Sequence, residues 1–236
     1  MKKILLMLFM VLLVSCAKKD EIQVPSEQLY NEAVKEFKSN HLVRAVDGFK
    51  KLETRYDFEK YHESMIMMAY AYYVMDEYDE ALLRIDSIKD LNLADIEYVY
   101  YLEILSYYGK ISKSKKDLSL LKKLFVCTND MLKKFPNSVY IDDVLLKRKV
   151  VFGYIVENEL EIAKYYIGDN NLIGAINHLK YLLDNYPENK HSAEIFYLMC
   201  KLYSHVGYTE GYNLYYRLLR EKYEKTKWFK KINEEG

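Results

Sequence analysis

A chain of 236 residues, half apolar and 30% charged, can bury a globular core and is not a disordered polymer. Its 35 basic residues balance 35 acidic ones, so no broad basic field exists and nucleic acid is excluded as the main partner. With only 8 glycines and 3 prolines, an all-β fold full of tight turns is excluded as well.

The chain opens with Lys2 and Lys3, followed by an unbroken apolar run over residues 4–14. At about 1.5 Å per helical residue this run cannot cross a hydrocarbon core of about 30 Å. It reads as the apolar region of a signal peptide over residues 1–15. Leu13, Val14, Ser15 and Cys16 resemble the bacterial lipobox. That resemblance implies diacylglyceryl transfer to the Cys16 sulfur, cleavage after Ser15 and acylation of the new N-terminus. The other reading is an ordinary secretory signal with a cysteine nearby. Cleavage removes two lysines and no acid, leaving 33 basic residues against 35 acidic. Ala17 stands where an aspartate would favour retention at the inner membrane, so the lipid leans toward the outer membrane. Residues 16–27 are polar, carry Pro25 and read as a flexible tether. The lipid on Cys16 is the only attached group expected; no cofactor or metal is.

From residue 28 to 225 the apolar positions follow a helical period. Leu29, Ala33, Phe37 and Leu42 illustrate it, as do Met65, Met68, Ala69 and Tyr72. Asn40, Pro136 and Pro187 punctuate the series, and Ser138 is placed to cap a helix. About ten helices result, paired by short connections. Ala33 and Ala45 are twelve apart, as are Ala69 and Ala81, and Ala163 and Ala175. Phe49, Ile85 and Leu179 each follow the second alanine by four, and Gly211 lies 36 beyond Ala175. This resembles the tetratricopeptide pattern, in which small residues let paired helices approach closely. The fold class is therefore all-α, a tetratricopeptide-like superhelix of about five helical hairpins. The third repeat, near residues 95–135, lacks the alanine pair and carries a polar insertion at 110–116. Residues 226–236 read as a charged tail. Cys127 and Cys200 allow one disulfide or two buried thiols.

Tyrosine is abundant, at 25 residues. Tyr70, Tyr72 and Tyr73 cannot all point inward from one helix, nor can Tyr98, Tyr100 and Tyr101. Some line a binding surface or fill interfaces between repeats. The five histidines, His41, His62, His178, His191 and His205, show no metal-ligand spacing. No nucleophile elbow, phosphate loop or dinucleotide fingerprint occurs, so no catalytic residue is assigned. Asp142 and Asp143, and Glu234 and Glu235, read as helix-terminal or solvated charge. The basic runs at 113–116 and 225–231 are solvated faces or contacts to lipid headgroups or an acidic partner.

Several segments together resemble the BamD family of lipoproteins, also called YfiO or ComL. Tyr30, Asn31, Glu32 and Ala33 open the first repeat as in that family. Arg55, Tyr56, Asp57 and Phe58 match its RYPF turn, with Asp57 in place of proline. Ala69, Tyr70, Ala71, Tyr72 and Tyr73 resemble the family's second A helix. The segments IEYVYY at 96–101 and FPNSVY at 135–140 are the most specific. Ala163, Lys164, Tyr165 and Tyr166, then Asn185, Tyr186 and Pro187, extend the likeness. It runs from Cys16 to about Tyr223.

The resemblance implies a non-enzymatic scaffold on the periplasmic face of the outer membrane. Its partners would be the POTRA region of a BamA-type barrel protein, unfolded outer-membrane proteins and further lipoproteins of the assembly machinery. Tyr56, Tyr70, Tyr73, Tyr98 and Tyr101 would receive an extended, aromatic-ended peptide. Asn177 and His178 would dock the barrel protein. The family often has arginine where His178 stands, and a neutral imidazole is a weaker partner than a bidentate guanidinium. The competing readings are another periplasmic tetratricopeptide lipoprotein, coordinating envelope or peptidoglycan processes, and a lipid-anchored enzyme.

Overall fold

A computed structural model describes residues 24–91, 94–113, 117–187 and 189–235. The expected signal peptide, Cys16 and most of the expected tether, like residues 114–116 of the basic insertion, lie outside the described residues. Among these, eleven helices and no strands occur. They are α1 (Ser26–Lys38), α2 (Leu42–Lys50), α3 (Tyr61–Val74), α4 (Tyr78–Ile88), α5 (Ile96–Lys113) and α6 (Leu118–Lys134). α7 (Ile141–Gly168), α8 (Leu172–Asn185), α9 (Ser192–His205), α10 (Thr209–Tyr223) and α11 (Lys227–Glu235) follow. The fold is all-α and built from tetratricopeptide-like hairpins. Two compact units divide the chain, one ending at Ala71 and the other starting at Tyr72.

In the first unit α1 packs on α2. Ala33 and Ala45 are buried at this crossing, with Val46, Phe49 and Leu52 beside them. The approach is close: a Cβ added to Gly48 would lie 2.7 Å from the Ala33 Cβ. A larger residue at Gly48 would have to push the helices apart. The turn after α2 closes through Phe58 N–H donating to the Arg55 carbonyl at 3.0 Å, without a proline. It folds back on α1. Arg55 Nη1 donates to the Val24 carbonyl and to Ser26 Oγ, and the Phe58 ring lies 5.9 Å from Tyr30. Residues 26 and 27 of the expected tether thus belong to α1.

In the second unit each helix from α4 to α10 packs on the next. Ala81, Ala163 and Ala175 are fully buried. Ala45, Ala81 and Ala175 each lie four residues after the N-cap of their helix, at His41, Glu77 and Asn171. The N-cap of α10 is Tyr208, so Tyr212 holds that position and Gly211 falls one residue short of it. Gly211 answers a different need: a Cβ there would meet the Tyr208 ring at 2.5 Å. In α6, whose N-cap Asp117 accepts from Leu120 N–H, the equivalent residue is the buried Leu121.

Four hairpin turns share a device that the alanine spacing did not announce. Asn40, Asp76, Asn170 and Gly207 have φ of 58°, 61°, 57° and 72°. In each, the next residue's N–H donates back to the helix, as His41 does to the Glu36 carbonyl and Asn171 to the Tyr166 carbonyl. This six-to-one closure satisfies carbonyls left open at the helix end, and only Gly, Asn or Asp adopts left-handed backbone cheaply. Ser138 does not cap α7. The N-cap is Tyr140, and Ser138 Oγ accepts from its N–H at 3.4 Å inside the preceding turn.

The expected charged tail over 226–236 is a packed helix instead. α11 lies against α9 and α10, burying Ile232. The Trp228 ring lies 5.2 Å from Tyr197, and the Tyr197 hydroxyl donates to Glu235 Oε2 at 2.8 Å. Its lysines disguised an apolar edge at positions 228, 229 and 232. Cys127 and Cys200 are both free and buried.

Candidate functional site

The tyrosines proposed to receive a peptide are divided between the two units. In the first unit Tyr56 is exposed, with its ring 5.2 Å from Tyr61. Tyr70 is half-buried, 5.8 Å from the Phe37 ring. In the second unit Tyr73 sits beside Tyr78, while Tyr98 and Tyr101 gather round Tyr140. Tyr72 and Tyr100 are the members of each run that turn inward.

Tyr101 and Tyr140 are stacked, with centroids 4.3 Å apart and planes 9° from parallel. The Tyr101 hydroxyl donates to Asp143 Oδ2 at 2.7 Å, and Lys147 donates to the same carboxylate. Burial pushes the Asp143 carboxyl up, but the hydrogen bonds from Lys147 and Tyr101 outweigh it and hold it below the usual range. Burial, then Asp143, pushes the Tyr101 phenol far above its ordinary value. Sequence reasoning missed Tyr140, Asp143 and Lys147 as partners of Tyr98 and Tyr101. The FPNSVY segment marked Tyr140, yet nothing local showed that α7 brings it to α5.

The residues proposed to dock a partner lie on α8. Asn177 is exposed and His178 half-buried. His178 is already engaged: its Nδ1 lies 2.7 Å from Glu159 Oε2, and its ring stacks on Tyr166 at 5.3 Å. A carboxylate only accepts, so Nδ1 carries the proton and Nε2 remains for other contacts. Glu159 comes from the middle of α7 and is 2% exposed. Its other oxygen accepts from Lys122 Nζ of α6 at 2.7 Å. Burial by itself would lower the Lys122 ammonium; Glu159 outweighs that and raises it. One buried carboxylate thus ties three helices from two successive hairpins, and Lys122 also lies 4.7 Å over the Tyr181 ring. Burying that charge is tolerable because both its oxygens are answered. The sequence placed Glu159 on an apolar face, and that mismatch was the only available signal.

Among the described residues, no group of three His, Cys, Asp or Glu is placed to hold a metal ion. No described helix is long and apolar enough to cross a membrane.

A family model described as YfiO, outer membrane lipoprotein, matches residues 22–218. The outer membrane protein assembly factor BamD of Rickettsia prowazekii is 31% identical over 221 residues, covering 90% of this chain and 87% of that protein. BamD of Neisseria meningitidis serogroup B (strain ATCC BAA-335 / MC58) is 28% identical, covering 82% and 81%. BamD of Vibrio cholerae is 25% identical, covering 87% and 91%. The crystal structure of PilW, a type IV pilus biogenesis factor, aligns with a TM-score of 0.39 and 11% identity over 88% of this chain and 97% of that one. That likeness is too loose to carry fold or function. The match over residues 22–218 spans nearly all of the helical hairpins and does decide the matter: the chain belongs to the YfiO family of outer membrane lipoproteins.

Proposed function

We propose that this protein is a non-catalytic scaffold subunit of an outer membrane protein assembly machinery. The observation that carries the reading is the family match across residues 22–218, with relatives named as outer membrane protein assembly factors. Cys16, once acylated, holds the hairpins on the periplasmic face of the outer membrane. Its acyl chains each add about 0.8 kcal/mol of anchoring per buried methylene. Tethering on one membrane makes encounter with a membrane-embedded partner effectively intramolecular.

In this reading Asn177 and His178 dock the POTRA region of a BamA-type barrel protein. Glu159 sets the imidazole's orientation and tautomer for that contact. Tyr56, Tyr70, Tyr73, Tyr98 and Tyr101 offer rigid apolar area with polar tips to the ends of unfolded outer-membrane proteins. Other lipoproteins of the machinery complete the set of partners.

The test is capture of the intact lipoprotein in mild detergent, followed by mass spectrometry. A barrel protein with periplasmic POTRA repeats is the expected companion. Recovery of peptidoglycan enzymes without any barrel protein would transfer the chain to another periplasmic role. In parallel, Cys16→Ser should move the protein from the membrane fraction to the soluble periplasm.

A further inference from the structure

Two depressions in the second unit meet at Lys122. One, of about 270 Å³, is the hollow over Glu159 and is edged by Asn177, His178 and Tyr181. The other, of about 770 Å³, is walled by Tyr107, Leu118, Val126 and Cys127 of α5 and α6. Lys89, Lys122 and Lys123 also line it, with Asp130 as the one acid. Two of these lysines are paired with acids, and Lys89 is itself only 19% exposed whereas Lys122 is 39% exposed. Glu103, paired with Lys89, is 12% exposed, and Glu159, paired with Lys122, is 2% exposed. Lys123 is exposed and makes no ion pair among the described residues. Val126 is 55% exposed, an apolar side chain left in water at the pocket's edge. What meets solvent along this face is therefore the apolar Val126 beside the ammonium groups of Lys122 and Lys123.

We propose that this face is a groove for an extended acidic–apolar segment of a partner protein. A bulky apolar side chain enters the pocket between α5 and α6, and a neighbouring carboxylate lies over Lys122 and Lys123. The groove continues into the hollow at Asn177 and His178, so the proposal rests on the reading that those residues dock a partner. A second copy of this chain fits poorly. A two-fold pairing would set Lys122 and Lys123 against their own images, like charge on like charge.

The test uses the intact lipoprotein in mild detergent and a fluorescent twelve-residue probe peptide holding one tryptophan flanked by aspartates. Binding is read by anisotropy, with unchanged circular dichroism confirming each variant's fold. Val126→Glu should weaken binding about tenfold, because it puts a charge where an apolar anchor enters. Lys123→Glu should weaken it about threefold, and the loss should shrink at high salt. Leu83→Glu, equally exposed on α4 but not among the residues that line the groove, should leave it unchanged. A probe with lysines in place of the aspartates should bind at least about tenfold more weakly. No binding of the acidic probe, or binding that ignores Val126→Glu and Lys123→Glu, overturns the proposal. So does a Val126→Glu effect on self-association alone. Capture of the barrel protein is a separate measurement, so the groove and the assembly role can fail independently.

Discussion

Four residues past the N-cap of its second helix, the fourth hairpin has Ala175 and the third has Leu121. Both are completely buried. In the fourth hairpin a small side chain lets α7 and α8 come together, and Ala163 repeats the device from the other helix. In the third hairpin side-chain volume fills the same position, and the large pocket opens on that hairpin's surface. The regular crossing gains close packing and spends its middle on one buried charge, Glu159. The irregular one buries the neutral hydroxyls of Ser106 and Thr128 and leaves the larger depression outside. Both hairpins thus keep a hollow on the surface, about 270 Å³ over Glu159 where the alanine pair is present and about 770 Å³ where it lapses.

That contrast can be broken by exchanging the two solutions. Leu121→Ala should destabilise the fold by about 3 kcal/mol, since the emptied volume cannot collapse between two packed helices. Ala175→Leu should cost about 2 kcal/mol through overpacking, read by denaturant unfolding of the same protein. If Ala175→Leu is neutral, the crossing is not tight and the contrast disappears. Glu159→Gln should cost less, about 1 kcal/mol, because Lys122 and His178 are both partly exposed and can turn to water. The same variant should weaken partner capture by more than its stability loss suggests, since His178 loses its orientation.

The smallest effect lies at the C-terminal cover. Burial, then the hydrogen bond to Glu235, pushes the Tyr197 phenol from 10.0 up to about 12. A pKa raised in the folded state favours folding below the unfolded value, and the benefit is lost as pH rises through the folded one. Stability should therefore decline between about pH 10 and 12 in an alkaline titration followed by circular dichroism. Tyr197→Phe should flatten part of that decline. An unaltered curve would mean that α11 does not shield Tyr197.

Much of this was legible in the residues. The helical period, the small residues at 33/45, 69/81 and 163/175, and the inward turning of one tyrosine in each run all follow from local spacing. A helix repeats its faces every three to four residues whatever surrounds it. The turn residues Asn40, Asp76, Asn170 and Gly207 were equally visible, each seven residues after Ala33, Ala69, Ala163 and Cys200. That second register would have placed Cys200 at the small position of the last hairpin and corrected the reading of Gly211. The C-terminal helix escaped because its lysines dominate composition while its apolar residues are few. Three of them still suffice to pack against α9 and α10.

The sequence alone determined that helices form, where they pair and which side of each is apolar, because those properties depend on residues a few positions apart. Only the tertiary structure decided which polar groups meet. Glu159 joins Lys122 and His178 from 37 and 19 positions away, and Tyr101 reaches Asp143 across 42. No spacing rule links such pairs, since the angle and offset between stacked hairpins set the distance between their side chains.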